Sequence, residues 1–124
     1  DRSDPARAIA SLKAGGALIR SGVNIFAFPE GTRTTSGLIR NFKKGVFMLA
    51  LEARVPIVPM SVHGAREVLP VGSFDPQGNV IKVKVGKPIP LDGYSVETRD
   101  DLIAAVRESV IQLNLDLGGQ GGEA

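Results

Sequence analysis

Two short apolar runs lie between segments with helical periodicity, and this alternation restricts the fold more than any other feature of the chain. The runs cover residues 23–28 and 55–62. Apolar side chains recur at helical spacing in residues 4–20, 43–54 and 95–117. Alternating helices and strands are typical of α/β domains. We therefore predict an α/β fold with a mixed, partly parallel sheet flanked by helices, in which residues 23–28 form a buried strand.

Local signals place the ends of the predicted helices. Asp4 precedes Pro5, and proline is favoured at the first helical position, where its missing N–H is not needed. The pair Ser21-Gly22 ends this helix. Ser95 supplies a cap for the last helix, and Gly118 ends it.

The 124 residues are enough for one domain with a core, or for part of one. The chain opens with Asp1 and without a methionine or a signal peptide, so we expect an internal piece of a longer protein and an incomplete domain. We predict that residues 1–117 form the C-terminal part of a single domain and that residues 118–124 form a disordered tail. Residues 64–79 are predicted to be a connection, and the alternating residues 80–85 a half-exposed strand.

Composition excludes several kinds of site. The sequence has no cysteine, so disulfides, zinc-thiolate sites and cysteine nucleophiles are absent. A single histidine, His63, excludes a multi-histidine metal site. The apolar runs are far shorter than the roughly 20 residues that cross a bilayer. We predict neither a bound metal nor a membrane-spanning segment in this sequence.

The charges are distributed unevenly along the chain. Residues 1–66 hold ten Lys and Arg against four Asp and Glu, a net charge of +6, whereas residues 67–124 hold five against nine, a net charge of −4. The basic half suits an anionic ligand or an anionic membrane surface, although a solvated basic face would look the same. Nucleic acid is not predicted as a partner, because only 5% of the residues are aromatic and no basic run is interleaved with them.

A polar turn follows the first apolar run and carries Glu30, Gly31, Thr32 and Arg33. The planar guanidinium of arginine can give two parallel hydrogen bonds to phosphate oxygens, and glycine lets backbone amides approach a ligand closely. Lys43 stands downstream with further basic residues and adds positive potential. Glu30 could hold Arg33, hold a backbone amide or bind a substrate hydroxyl. From the residues alone, ligand recognition and a structural ion pair that stiffens the turn are equally open.

Three blocks of the sequence resemble the glycerophospholipid acyltransferase family, and in particular the lysophosphatidate acyltransferases. They are Phe28-Pro29-Glu30-Gly31-Thr32-Arg33, Phe42-Lys43-Lys44-Gly45 and Val55-Pro56-Ile57-Val58-Pro59. The resemblance extends over roughly residues 1–75. It implies that the first of these blocks is the motif that binds the phosphate and glycerol of the acyl acceptor. It also implies that Asp1-Arg2 is the end of the preceding motif.

The resemblance implies a substrate site and a reaction for the full-length protein. The implied substrate-binding residues are Arg2, Glu30, Gly31, Thr32, Arg33 and Lys43. The implied reaction moves a fatty acyl group from acyl-CoA or acyl carrier protein to the free hydroxyl of a lysophospholipid, most simply 1-acyl-glycerol-3-phosphate, in phospholipid biosynthesis. It needs no cofactor besides the thioester, and it implies association with the cytoplasmic side of a membrane.

The sequence lacks the catalytic pair of that family, which is a His and an Asp separated by four residues. His63 is followed at that spacing by Val68, and it lies after the acceptor motif, not before it. We therefore predict no catalytic residue in this chain and no activity of the chain alone. One alternative is a non-catalytic module that binds phospholipid head groups. Another is a hydrolase that uses Ser61 with His63, although the sequence has no Gly-x-Ser-x-Gly elbow.

Overall fold

A computed structural model describes residues 4–31, 36–64 and 80–124. The described chain forms three α-helices, one short 3₁₀ helix and an antiparallel pair of strands. This combination agrees with the predicted α/β class. The described ladder is antiparallel, so the parallel part of the sheet stays a prediction. None of the helices in these ranges combines the length and the apolar character needed to cross a membrane.

Helix α1 covers Pro5–Arg20, as its end signals predict. The Asp4 side chain accepts a hydrogen bond from the backbone N–H of Ala6 at 3.0 Å, which satisfies a donor that has no partner inside the helix. The backbone N–H of Ser21 returns to the carbonyl of Ala17 at the other end. The predicted first helix is thus confirmed together with its cap.

Helix α2 covers Gly45–Ala53 and packs against α1. Two adjacent glycines of α1, Gly15 and Gly16, make the approach possible, since a Cβ on Gly15 would lie 2.7 Å from Leu49. The Arg20 guanidinium donates to the carbonyl of Glu52 at 3.0 Å and ties the ends of the two helices together. The helix predicted over residues 43–54 is confirmed in position and is slightly shorter.

Strands β1, Met60–His63, and β2, Lys82–Val85, pair in antiparallel register. Met60 faces Val85 at one end of the ladder, and His63 faces Lys82 at the other. An isolated bridge between Ile57 and Ile89 continues the pairing beyond the strands. The strands predicted within residues 55–62 and 80–85 are therefore found at Met60–His63 and Lys82–Val85. The prediction that the second is half exposed is wrong, because all four of its residues are exposed and no described element covers either face.

The last helical segment begins with the 3₁₀ turn Val96–Thr98 and continues as helix α3, Arg99–Asp116. Ser95 and Thr98 form a reciprocal capping box at its start, as the sequence predicts for Ser95. Helix α3 buries Leu102 completely, and its side chain packs with Phe47 of α2 in a shared apolar cluster. The buried members of that cluster are Phe47, Ala50, Leu51, Leu91, Leu102 and Val106.

The prediction of a buried strand at residues 23–28 is wrong for this structure. These residues form no strand, and Phe26 and Phe28 expose 80% and 84% of their surface. A strand needs a hydrogen-bonded neighbour and a covering layer, and within the described residues neither is present at this segment. The apolar run alone does not supply them.

The C-terminal segment, residues 118–124, has defined contacts in the structure, although its sequence predicts a disordered tail. The carbonyl of Gly121 accepts from the backbone N–H of Ile39 at 2.8 Å, and the N–H of Glu123 donates back to the carbonyl of Ile39 at the same distance. The predicted domain boundaries remain predictions. The connection predicted at residues 64–79 falls outside the described residues apart from Gly64.

We expect the Lys84→Ala variant to raise the pKa of Asp116. The ammonium of Lys84 lies 2.9 Å from the Asp116 carboxylate, and that hydrogen bond, with a second one from Gln112, holds the pKa of Asp116 below its ordinary value. The resulting stabilisation is present above the unfolded-state pKa and is lost as the pH falls through the lowered, folded-state pKa. Titration of the carboxylate by NMR measures the shift. The Lys82→Ala variant, on the same strand, is the control and should leave the pKa of Asp116 unchanged.

Candidate functional site

Three of the six predicted substrate-binding residues lie in the described ranges, and they form one cluster. These three are Glu30, Gly31 and Lys43. Arg2, Thr32 and Arg33 lie outside the described residues, so their predicted roles stay predictions. The polar loop is the segment of residues 29–41. The site can therefore be built from the two described ends of this loop and from the start of α2.

The loop begins with a tight turn over residues 28–31. The backbone N–H of Gly31 donates to the carbonyl of Phe28 at 3.0 Å, which closes a four-residue turn with Pro29 in its second position. Such turns favour proline at their second position and glycine at their fourth. Gly31 has φ = +79°, in the left-handed region that other residues rarely adopt. The turn thus depends on glycine at position 31.

Lys43 lies directly across this turn, twelve residues later in the sequence. Its backbone N–H donates to the carbonyl of Pro29 at 2.7 Å. Its Nζ comes within 2.9 Å of the position that a Cβ on Gly31 would occupy. The absence of a side chain at Gly31 therefore makes room for the Lys43 ammonium, and the structure brings these two predicted residues into contact.

Glu30 holds the other end of the loop. Its Oε2 accepts a hydrogen bond from the backbone N–H of Arg40 at 2.9 Å. The sequence left three roles open for this carboxylate, and in the structure it holds a backbone amide. Because Glu30 and Arg40 are ten residues apart, this bond joins the two described ends of the polar loop.

The start of α2 adds positive potential beside the turn. Lys44 is the N-cap residue of α2, and its side chain makes no capping hydrogen bond. The first N–H groups of a helix lack partners inside the helix and form the positive end of its dipole. Lys43 and Lys44 are exposed at this point. The arrangement of turn, lysine and helix start suits an anionic group.

The Ser61 and His63 pair has a less favourable geometry for catalysis. Ser61 exposes only 5% of its surface, and in the ladder it faces Lys84. A nucleophile must reach a substrate and must be activated by a hydrogen-bonded base. In the described part of the chain, no hydrogen bond links the two side chains, so the structure gives the hydrolase alternative no support.

One residue of this region was missed by the sequence analysis. The guanidinium of Arg107, in α3, donates to the backbone carbonyls of Ile39 and Arg40, at the end of the polar loop. The partners are 67 and 68 residues apart in sequence, and they are backbone atoms, which any residue would offer. No local pattern could have signalled this contact.

Comparisons with known proteins give a consistent result. A sequence model of the family described as Acyltransferase matches residues 1–63. The 1-acyl-sn-glycerol-3-phosphate acyltransferase of Limnanthes douglasii is 36% identical over 113 residues, which are 90% of this chain and 40% of that protein. The 1-acyl-sn-glycerol-3-phosphate acyltransferase alpha of Homo sapiens is 31% identical over 107 residues, or 85% of this chain and 38% of that protein.

A solved structure extends the likeness to the fold. The crystal structure of the 1-acyl-sn-glycerophosphate (LPA) acyltransferase PlsC from Thermotoga maritima superposes with a TM-score of 0.80 at 29% sequence identity. The match covers 94% of this chain and 48% of that chain. The present chain thus spans less than half the length of these relatives.

We predict that the Gly31→Ala variant destabilises the polar turn by about 1–2 kcal/mol, the cost of a left-handed conformation for a residue with a Cβ. The new methyl group would also displace the Lys43 side chain. Denaturant unfolding measures the loss. The Gly45→Ala variant is a matched control, because a Cβ there meets no atom within 4 Å and its φ is not positive. Equal losses in both variants would contradict the proposed role of Gly31.

Proposed function

Because the chain belongs to the acyltransferase family, we propose that the full-length protein moves a fatty acyl group from an acyl thioester to the free hydroxyl of 1-acyl-glycerol-3-phosphate. The relatives from Limnanthes douglasii and Homo sapiens are both named as 1-acyl-sn-glycerol-3-phosphate acyltransferases, which supports this acceptor. The solved relative from Thermotoga maritima is named for the same kind of acceptor.

The observation that carries the proposal is the contact between Lys43 and the Gly31 turn. It places a cation over the motif that the family resemblance assigns to the acceptor. In the proposed site, Arg33 and Arg2 bind the acceptor phosphate, and the Lys43 ammonium adds a third positive charge. Glu30, Gly31 and Thr32 shape the space for the glycerol. The bond from Glu30 to the Arg40 amide supports this role, because it holds the loop closed.

The chemical step is proposed to rest on residues outside this sequence. Attack of the acceptor hydroxyl on the thioester carbonyl needs a general base, and such a base typically contributes on the order of 10²- to 10⁴-fold. The chain has one histidine, and Val68 stands where the family pair requires an Asp after it. The full-length protein would therefore supply the His and Asp pair from a segment before residue 1.

The donor and the location are proposed on the same basis. Acyl-CoA or acyl-ACP would be the donor, with no further cofactor. The acceptor is a lipid, so the full-length protein would work at the cytoplasmic surface of a membrane. The net charge of +6 over residues 1–66 supports attraction to anionic lipid. Phe26 and Phe28, which come just before Pro29 in the sequence, have exposed apolar side chains.

An assay of thiol release tests the reaction directly. The full-length protein is mixed with acyl-CoA, with and without 1-acyl-glycerol-3-phosphate, and the release of free CoA is followed together with the diacyl product. We expect release that depends on the acceptor. If the protein binds the acceptor but releases no free thiol from either acyl-CoA or acyl-ACP, the result would favour the non-catalytic head-group module. The 124-residue chain alone is expected to release none.

The Arg33→Ala variant of the full-length protein should raise the KM for 1-acyl-glycerol-3-phosphate. Loss of a hydrogen bond to a charged group costs about 1.5–3 kcal/mol, which is roughly a ten- to 150-fold loss of affinity. Steady-state kinetics with varied acceptor measure the change, and the KM for the donor should stay the same. Arg99→Ala, at the start of α3, is the control. An unchanged acceptor KM in Arg33→Ala would count against the proposed phosphate site.

A further inference from the structure

We propose that Arg107 is a positioning residue that holds the polar loop in its binding geometry. The effect of this role on the kinetics rests on the proposed function. Arg107 is partly buried, and its guanidinium binds three carbonyls in two backbone segments, residues 39–40 and Glu123. The Nε donates to the carbonyl of Arg40 at 3.1 Å. The Nη2 donates to the carbonyl of Ile39 at 3.0 Å and to the carbonyl of Glu123 at 2.9 Å.

The peptide units around Arg40 are held from two directions. The backbone N–H of Arg40 is bound by the Glu30 carboxylate at 2.9 Å, and its carbonyl is bound by Arg107. One contact comes from the start of the loop and the other comes from α3. Hydrogen bonds to charged groups are stronger than those between neutral groups. Arg40 is therefore a residue through which the polar loop is attached to α3.

The C-terminal segment completes the attachment. Ile39, which is only 7% exposed, bonds through its N–H to Gly121 and through its carbonyl to Glu123. The carbonyl of Ile39 thus accepts two hydrogen bonds, one from the Glu123 N–H and one from Arg107. Residues 121–123 and the end of the loop form a short parallel bridge, and Arg107 joins its two sides.

Close packing on α3 fixes the C-terminal segment in turn. The backbone N–H of Gly121 donates to the side chain of Asn114 at 2.9 Å, and Asn114 is buried. Gly121 has φ = +82°, which favours glycine. A Cβ on Gly122 would lie 2.5 Å from Ile111 and 2.9 Å from the Nη2 of Arg107. Both glycines let the backbone lie against the helix.

The consequence is that both described ends of the polar loop are held in place. Residues 30 and 31 are held by the turn with Lys43, and residues 39 and 40 are held by Arg107. Holding a binding loop in one geometry reduces the ordering cost when the ligand binds. Arg107 would therefore increase acceptor affinity indirectly, because its hydrogen bonds within the described residues go to backbone carbonyls.

The test compares Arg107→Ala, Arg107→Lys and Arg99→Ala in the full-length protein. Arg99 lies on the same helix, and among the described residues its guanidinium donates to the nearby carbonyl of Val96 at 2.8 Å. We expect Arg107→Ala to raise the KM for 1-acyl-glycerol-3-phosphate about tenfold, with kcat and the donor KM within about twofold of the wild type. Lysine keeps the charge but has one nitrogen to serve the three carbonyls, so Arg107→Lys should restore only part of the affinity. Arg99→Ala should match the wild type.

Hydrogen exchange of the backbone amides gives a second measurement that needs no activity. Exchange at Ile39, Arg40 and Glu123 should become faster in Arg107→Ala and should stay unchanged in Arg99→Ala. If Arg107→Ala does not fold, Gly122→Val tests the same attachment by pushing the C-terminal segment away from Ile111, with the same expected results.

The outcomes separate this proposal from the proposed function. An unchanged acceptor KM, or equal rises in acceptor and donor KM, would overturn the positioning role while leaving the reaction in place. Unchanged exchange at Ile39 and Arg40 would overturn the attachment itself. A wild-type protein that acylates no lysophospholipid would overturn the proposed function, and the exchange measurement would then decide whether Arg107 holds the loop.

Discussion

The contact between α2 and α3 is the interaction on which the rest of the structure depends. Phe47 of α2 and Leu102 of α3 lose nearly all their exposure in a shared apolar cluster, so burial of these two side chains holds the helices together. Each helix then positions one end of the polar loop. The start of α2 places Lys43 across the Gly31 turn, and α3 carries Arg107 to the carbonyls of Ile39 and Arg40. Loss of the helix contact would separate the two ends of the site.

Several apolar side chains stay exposed within the described residues. The chain corresponds to 48% of the Thermotoga maritima PlsC chain, with which it superposes well. Val62 of β1 and the facing Val83 of β2 are both about half exposed, and residues 23–28 have no described strand beside them. A β-ladder is satisfied only by neighbouring strands, and an apolar face only by a covering layer. The sequence of residues 23–28 has the composition of a buried strand, but the described residues do not supply those neighbours.

The candidate site was predictable where its chemistry is local. The turn of Pro29, Glu30 and Gly31 follows from the residue types, because proline fixes φ and glycine tolerates positive φ. The family resemblance pointed to Lys43, and the contact of its ammonium with Gly31 appears only in the structure. Arg107 was not predictable at all. Its partners are backbone carbonyls far away in sequence, and a backbone carbonyl leaves no signature in the residue types.

The sequence by itself determined the positions of the three described helices, the ends of the first and the last, and the family, because apolar periodicity, capping residues and short motifs act over a few neighbouring residues. Only the tertiary structure decided the lengths of the strands, the exposure of residues 23–28 and the defined path of residues 118–124. These features depend on which distant segments meet. A residue such as Asn114 has the same local preferences whether or not a glycine from the C-terminal segment reaches its side chain, so packing alone sets that contact.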